Sequence, residues 1–384
     1  MIYVDISAAV HSRAGLGRYA ESLAQSLIEI EPDRFALFYN KGHDGTVPER
    51  FGSVPQRSVG FGYKPWRMLL YLANLSRISF KPLLPDLELF HSTEHLLMSV
   101  RDIPTVLTVH DLIFKLYPDY HKRMNYWYLN QAMPLFCRRA SSIIAVSEAT
   151  KRDIVEYFGI DASKIHVVHE SAAEHFKPPS EADINLVRRK YELPDQFLLH
   201  LSTVEPRKNL DRLVDSLLIL REEFPDLTLI LVGGWGWLCD DFFQRIESDQ
   251  LSGIVRSLGW VSDEDLPAVI GAAALAVQPS LYEGFGLPIL EHMACGQVVA
   301  ASDRSSHPEV GGEASAYFDP EEVEQMVGTI RRLLQNQDEY RRRKELSLLQ
   351  AGKFSWHNSA VETIKVYDQL IEKSKNRGNG ESAI

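Results

Sequence analysis

A chain of 384 residues, 45% apolar and 24% charged, is long enough for two domains and has the composition of an ordinary folded protein. It is neither disordered, nor collagenous, nor a small disulfide-stapled scaffold. Its 41 basic and 52 acidic residues leave a net charge of −11, which argues against nucleic acid as a partner. The first 180 residues hold 20 basic and 19 acidic side chains and the rest hold 21 and 33, so the acidity lies in the second half. Cys137, Cys239 and Cys295 form no CxxC pair and read as buried free thiols of a reducing compartment. Met1 to Ile6 reads as a strand and not as a signal peptide. No run approaches the roughly 18 apolar residues needed to span a bilayer. These features predict a cytoplasmic protein, at most peripheral at the inner face of the cytoplasmic membrane.

Short β-branched runs predict strands at 2–7, 36–40, 89–92, 105–110, 143–147 and 165–169, with helical patterns at 17–30, 66–80, 123–139 and 148–158. A polar, proline-bearing stretch interrupts this rhythm near 170–195. Strands are then predicted at 197–202, 228–233, 254–258, 275–278 and 298–301, with helices between them and a helical tail from about 356. Alternating strands and helices predict parallel sheets covered on both faces. Two such series predict two doubly wound α/β domains: 1–177, with a helix at about 360–384 packing back on it, and 178–359. Ligands of such sheets sit beyond the carboxyl ends of the strands, so the cleft between the domains is the expected site.

Four places carry candidate chemistry. Ala14-Gly15-Leu16-Gly17-Arg18-Tyr19-Ala20 reads as a loop with a helix following it, and its glycines would let backbone amides approach an anion held at the helix start. The spacing also meets G-x-G-x-x-A, but the turn from the first strand is long and the second strand ends without an acidic ribose ligand, against a nicotinamide enzyme. His110 stands at a strand end. Arg207 and Lys208 lie at a strand-to-helix junction, where cations oppose the helix dipole, so an anionic ligand such as a diphosphate would account for them. The stretch from Pro279 to Gly296 combines Glu283, a Gly284-Phe285-Gly286 turn, Leu287, Pro288 in a first helical turn and Glu291. The two carboxylates could be acid and base of a hydrolase, or could each grip hydroxyls of a sugar and a ribose. Asp240-Asp241 and the Asp263-to-Asp265 run read as helix starts, with Asp263 as an N-cap, and not as a metal site.

Glu283 to Glu291 has the E-x7-E spacing of retaining GT-B glycosyltransferases. Together with Gly15–Tyr19, Val109-His110-Asp111, Val146–Glu148, Glu205–Asn209, Val232–Gly236 and Val261–Leu266, in that order, it resembles the family 4 glycosyltransferases. Bacterial members that build surface polysaccharides, often with mannose, are the nearest in pattern. The resemblance implies a GT-B fold, two Rossmann-like domains facing each other across a cleft, the first acceptor-side and the second donor-binding. It implies a hexose, with mannose from GDP-mannose foremost, moved to a saccharide or lipid-linked glycan. By the same resemblance Arg207 and Lys208 hold the diphosphate, helped by Gly15, Gly17 and the Leu287 amide. Glu291 binds the ribose, and Glu283 with Gly284, Phe285 and Gly286 holds the donor sugar. His110 lies under the anomeric centre and steadies developing charge through its carbonyl, and Val261 lies near the base. No metal and no cofactor are implied. A UDP-sugar transferase, a nucleotide-sugar 2-epimerase and a non-catalytic nucleotide-sugar-binding protein are the alternatives. His292, Gln297-Val298 and His169-Glu170 depart from the pattern of many relatives, in helix packing and at the acceptor-side turn.

Residues 51–85 contain Arg57, Lys64, Arg67, Arg77 and Lys81 and no acidic residue, interleaved with aromatic and aliphatic side chains. This reads either as an anionic-membrane contact through 57–81 or as a helix packed on its sheet.

Overall fold

The computed structural model describes residues 1–11, 14–42 and 45–381. The chain forms two compact units, one of residues 1–170 and 355–384 and the other of residues 171–354. Seven strands build the first sheet: β1 (Ile2–Asp5), β2 (Phe35–Asn40), β3 (Gln56–Val59), β4 (Leu89–Ser92), β5 (Thr105–Val109), β6 (Ser142–Ala145) and β7 (Ile165–Val167). They are ordered β3-β2-β1-β4-β5-β6-β7, all parallel. The second sheet has β8 (Phe197–Leu201), β9 (Thr228–Val232), β10 (Val255–Gly259), β11 (Leu275–Gln278), β12 (Val299–Ser302) and β13 (Ala316–Phe318). Their order is β10-β9-β8-β11-β12-β13, again all parallel.

The central strands are apolar on both faces because helices cover both. Along β8, Leu198 enters one core with Leu229 and Leu231, while Phe197, Leu199 and Leu201 enter the opposite core with Ile230 and Val232. An uninterrupted apolar run is therefore a strand buried on two sides. The two strands that sequence patterning missed, β3 and β13, are sheet edges. β3 reads Gln-Arg-Ser-Val and is half exposed, so it carries no apolar signal.

The final helix, Trp356–Glu381, belongs to the first unit. Its Tyr367 hydroxyl shares a 2.5 Å hydrogen bond with His91 Nδ1 on β4. His91 Nε2 then meets Thr108 Oγ1 at 2.8 Å, and Thr108 Oγ1 meets the Tyr19 hydroxyl at 3.0 Å. All four side chains are buried, so this polar chain links two helices to the two neighbouring strands β4 and β5 with its groups satisfied. Arg34 and Asp368 form an ion pair at its edge.

Three sequence expectations need correction. The Gly15–Gly17 segment is not a loop before a helix: the helix begins at Ala14 and runs to Ile30, so both glycines lie in its first turns. Gly17 serves close packing there and not a turn, since a Cβ would stand 3.0 Å from the Ala8 carbonyl oxygen. Asp263 is not an N-cap: the helix Leu266–Ala272 is preceded by Asp265, whose carboxylate instead takes Lys190 Nζ and the Tyr191 hydroxyl. The first strand stops at Asp5, and Ser7–Val10 turns into a short helix, because Asp5 Oδ1 captures the Ser7 amide and hydroxyl.

Candidate active site

In the second unit β8 ends at Leu201, and the chain passes through a single 3-10 turn, Pro206–Lys208, before the helix Leu210–Leu220. Asn209 joins them with φ +58°, held by its side-chain amide on the Pro279 and Pro320 carbonyls at 3.1 and 2.7 Å. This turn puts Arg207 and Lys208 side by side, 8% and 6% exposed. Arg207 Nη1 lies 2.6 Å from Glu283 Oε2 and Lys208 Nζ 2.6 Å from Glu283 Oε1. Arg207 also pairs with Glu205 and donates to the Tyr282 carbonyl at 2.6 Å. The two cations therefore face two carboxylates within the protein. Glu205 and Glu283 offset this charge within the protein.

The electrostatics follow from burial. Desolvation works to raise the Glu283 carboxyl, but Arg207 and then Lys208 outweigh it and hold the group well below the usual carboxylate range. Burial, then the neighbouring Arg207, pull the Lys208 ammonium below its ordinary value against the attraction of Glu283. The cluster stays ionised because each charge has a partner within hydrogen-bond distance.

Glu283 is fixed by its backbone as well. Its N–H donates to Ser305 Oγ at 2.8 Å and its carbonyl accepts from Ser306 Oγ at 3.0 Å. After it, Gly286 adopts φ +101° and a Cβ there would lie 3.2 Å from His307 Cδ2, so this turn takes only glycine without strain. The helix Leu287–Ala294 starts next, and the Leu287 N–H, as the first of the helix, has no intrahelical acceptor. Burial drives the His307 imidazole down to about 4, so a neutral ring underlies the turn. Glu291 lies on this helix, 2% exposed. Gly233 has φ +130°, and a Cβ there would fall 2.1 Å from the Ser202 carbonyl oxygen; it allows the loops after β8 and β9 to touch. Val261, following β10, is buried.

In the first unit, His110 follows the last residue of β5. Its Nδ1 is 3.0 Å from Glu170 Oε1 and its Nε2 2.9 Å from the Thr93 carbonyl oxygen. The Tyr19 ring, on the helix that carries Gly15 and Gly17, meets the His110 ring edge-on at 4.6 Å. Gly15 has nothing within 4 Å of a would-be Cβ. The His110 carbonyl, which sequence comparison assigned to charge stabilisation, accepts the Thr150 hydroxyl at 3.1 Å.

The structure thus gathers Arg207, Lys208, Glu283 and the Gly284–Leu287 turn into one cluster, with Glu291 one helical turn on and Val261 on the loop after the sheet edge. It gathers His110 and the Gly15 helix into another. Sequence reasoning gave no role to Glu205, Ser305, Ser306, His307 or Glu170. Glu205 carried a signal, two residues before Arg207, and Glu170 stood out only as a departure from the family pattern. Among the described residues no group of three or more His, Cys, Asp or Glu side chains is arranged to hold a metal ion. The departures from the family pattern are absorbed in packing: His292 Nε2 meets Gln278 Nε2 at 3.1 Å, and Gln297 Nε2 donates to the Ile270 and Ala273 carbonyls.

Comparison with known proteins bears on this arrangement. Residues 13–171 match the model of glycosyltransferase family 4, and residues 183–347 match that of glycosyl transferases group 1. The chain is 31% identical over 379 residues to O-antigen chain mannosyltransferase B of Escherichia coli, covering 93% of this chain and 96% of that one. It is 30% identical over 296 residues to the serotype-specific mannosyltransferase WbdA of Escherichia coli, covering 72% of this chain but only 35% of WbdA. The solved structure of Anabaena HepE in complex with UDP and glucose superposes with a TM-score of 0.74 at 20% identity, over 96% of this chain and 99% of HepE.

Two all-parallel α/β sheets of seven and six strands, with this likeness, define a glycosyltransferase of the GT-B fold. The chain belongs to the family 4 glycosyltransferases, a retaining family of hexosyltransferases.

Proposed function

We propose that this protein transfers a mannosyl residue from GDP-mannose to a saccharide or lipid-linked glycan in surface-polysaccharide synthesis. The observation that carries the reading is the near full-length 31% identity to a mannosyltransferase that builds O-antigen chains. The second unit is the donor-binding one in this reading. Arg207 and Lys208 hold the diphosphate as a planar fork and a point charge, aided by the Leu287 amide at the start of its helix. Glu283, Gly284, Phe285 and Gly286 hold the sugar hydroxyls, Glu291 the ribose, and Val261 lies by the base. The first unit, with Gly15 and Gly17 toward phosphate and His110 toward the sugar, is acceptor-side. Catalysis then rests on fixed charges and dipoles that stabilise the leaving nucleoside diphosphate, with the acceptor hydroxyl positioned on the same face. No protein nucleophile and no metal are needed for that route.

The ion pairs of Glu283 give this reading a physical form. A diphosphate reaching Arg207 and Lys208 competes with Glu283 for them, while Glu205 keeps its hold on Arg207. Glu283 is then released toward hydroxyl donors, which are the groups that a sugar presents.

No helix among the described residues is long and apolar enough to cross a membrane. The helix Tyr63–Ser76 turns Met68, Leu72 and Leu75 outward, with Ile78 beyond it. Met124 and Trp127 at the start of the helix Arg123–Arg139 are exposed too, and Arg67 Nη2 bonds Asn125 Oδ1 between the two helices. With Lys64, Arg77 and Lys81 alongside and no acid from 51 to 85, this face suits an anionic bilayer. It supports peripheral work at the inner leaflet.

The test is a thermal-shift screen of the purified protein with GDP, UDP, ADP and their sugar conjugates. A ligand at 100 times its dissociation constant stabilises by about 2.7 kcal/mol. A shift with GDP and GDP-mannose that Arg207→Ala abolishes is expected. A shift with uridine diphosphates alone would replace the donor by a UDP-sugar, and no shift with any would overturn the donor site.

A further inference from the structure

Both nitrogens of the His110 ring are committed to the protein. Nε2 lies 2.9 Å from the Thr93 carbonyl oxygen, which can only accept, so Nε2 carries a hydrogen and donates it. Nδ1 lies 3.0 Å from Glu170 Oε1, so one further proton sits between imidazole and carboxylate. The turn that bears Glu170 is itself pinned, because the neighbouring His169 carbonyl accepts Ser359 Oγ of the final helix at 2.6 Å.

The other groups around the ring agree. Burial opposes charge on His110, but the hydrogen bond and the charge of Glu170 outweigh it and raise the imidazole above its ordinary value, with Asp111 adding to them. His91, on β4, is driven down to about 3 by burial and stays neutral. Tyr19 is pushed well up by burial and keeps its hydroxyl proton. The Thr150 hydroxyl donates to the His110 carbonyl.

We propose that Glu170 is a positioning residue that holds His110 as an imidazolium with both N–H bonds directed at the protein. His110 then serves the reaction through a fixed ring and a fixed backbone, and takes no part as a base. A base needs a nitrogen lone pair, and a ring that donates from both nitrogens has none. This rests on the reading of His110 as a residue of the transfer site.

The test compares the full chain with Glu170→Gln, which keeps the size and an acceptor but loses the charge, and with Glu170→Ala. Long-range proton–nitrogen NMR of labelled histidine is expected to show both His110 nitrogens protonated at pH 7. In Glu170→Gln the ring becomes neutral with its hydrogen on Nε2, and its titration moves at least about one unit lower. Because the charged form is the competent one, activity falls as pH rises through the His110 titration, and that alkaline limb moves down with it in Glu170→Gln. There kcat drops about 10- to 100-fold with KM for the donor little changed. A neutral His110 in the parent at pH 7, or a spectrum and profile unmoved in both variants, overturns the proposal. If His110→Ala transfers normally while the NMR shift in Glu170→Gln is present, the hold of Glu170 stands and the catalytic reading of His110 falls.

Discussion

Glu283 accepts two cations at once, Arg207 Nη1 on one carboxylate oxygen and Lys208 Nζ on the other, each at 2.6 Å. All three side chains are largely buried, so the carboxylate works as the counter-ion that lets two adjacent positive charges exist inside a folded protein. Removing it takes away one of the two carboxylates, Glu205 and Glu283, that offset these charges. Glu283→Ala is expected to lose about 3–5 kcal/mol of stability, the cost of an uncompensated buried charge, read by urea unfolding. Its contribution is present in full above pH 4.5, the ordinary value, and fades as pH falls toward the depressed folded value. The gap between parent and Glu283→Gln therefore narrows in acid. A constant gap from pH 7 to pH 3 would contradict the ionised cluster.

Glycines separate stability from function. Gly15 lies in a helix with open space around it, so Gly15→Ala is expected to stabilise the fold by about 0.5–1 kcal/mol. If Gly15 faces the phosphate as proposed, the same methyl group crowds it and affinity for the nucleoside diphosphate should fall. Equal affinity would remove Gly15 from the donor site. Gly286→Ala behaves otherwise: with φ +101° and His307 at 3.2 Å, it should cost roughly 1–3 kcal/mol and weaken donor binding together.

Four buried histidines make the fold acid-sensitive. Burial drives His200 and His307 down to about 4 and His91 and His292 to about 3. A depressed folded value means that their contribution is complete above the unfolded value of 6.5 and is lost as pH falls through the folded ones. His110, shifted upward, has the opposite sign and is lost as pH rises. Unfolding at pH 5 is expected to take up about four protons from these histidines, measurable by calorimetry in buffers of different ionisation enthalpy. The melting temperature should drop from pH 6.5 toward pH 4.

The exposed apolar face predicts lipid binding. The full chain should co-sediment with phosphatidylglycerol vesicles, less so at high salt, and weakly with phosphatidylcholine. Replacing Met68, Leu72 and Leu75 together by serine should abolish co-sedimentation and leave the nucleotide thermal shift intact. Retained binding would assign the face to something other than a bilayer.

Fold and family were legible in the sequence for one physical reason. A strand buried on both faces is a continuous apolar run, and runs such as Phe197–Leu201 and Thr228–Val232 survive any tertiary context. Short backbone motifs, such as the glycine turn before Leu287, are local too, and so stood out in order along the chain. Tertiary structure decided which charges meet. Arg207 and Lys208 lie 75 residues or so from Glu283 along the chain, and His110 lies 60 from Glu170, so neither pairing leaves a pattern in sequence. Edge strands were decided the same way, since Gln56–Val59 becomes a strand only because β2 offers it hydrogen bonds. Local chemistry named the residues of the candidate site; long-range packing set their ionisation, by choosing which opposite charge is buried beside each.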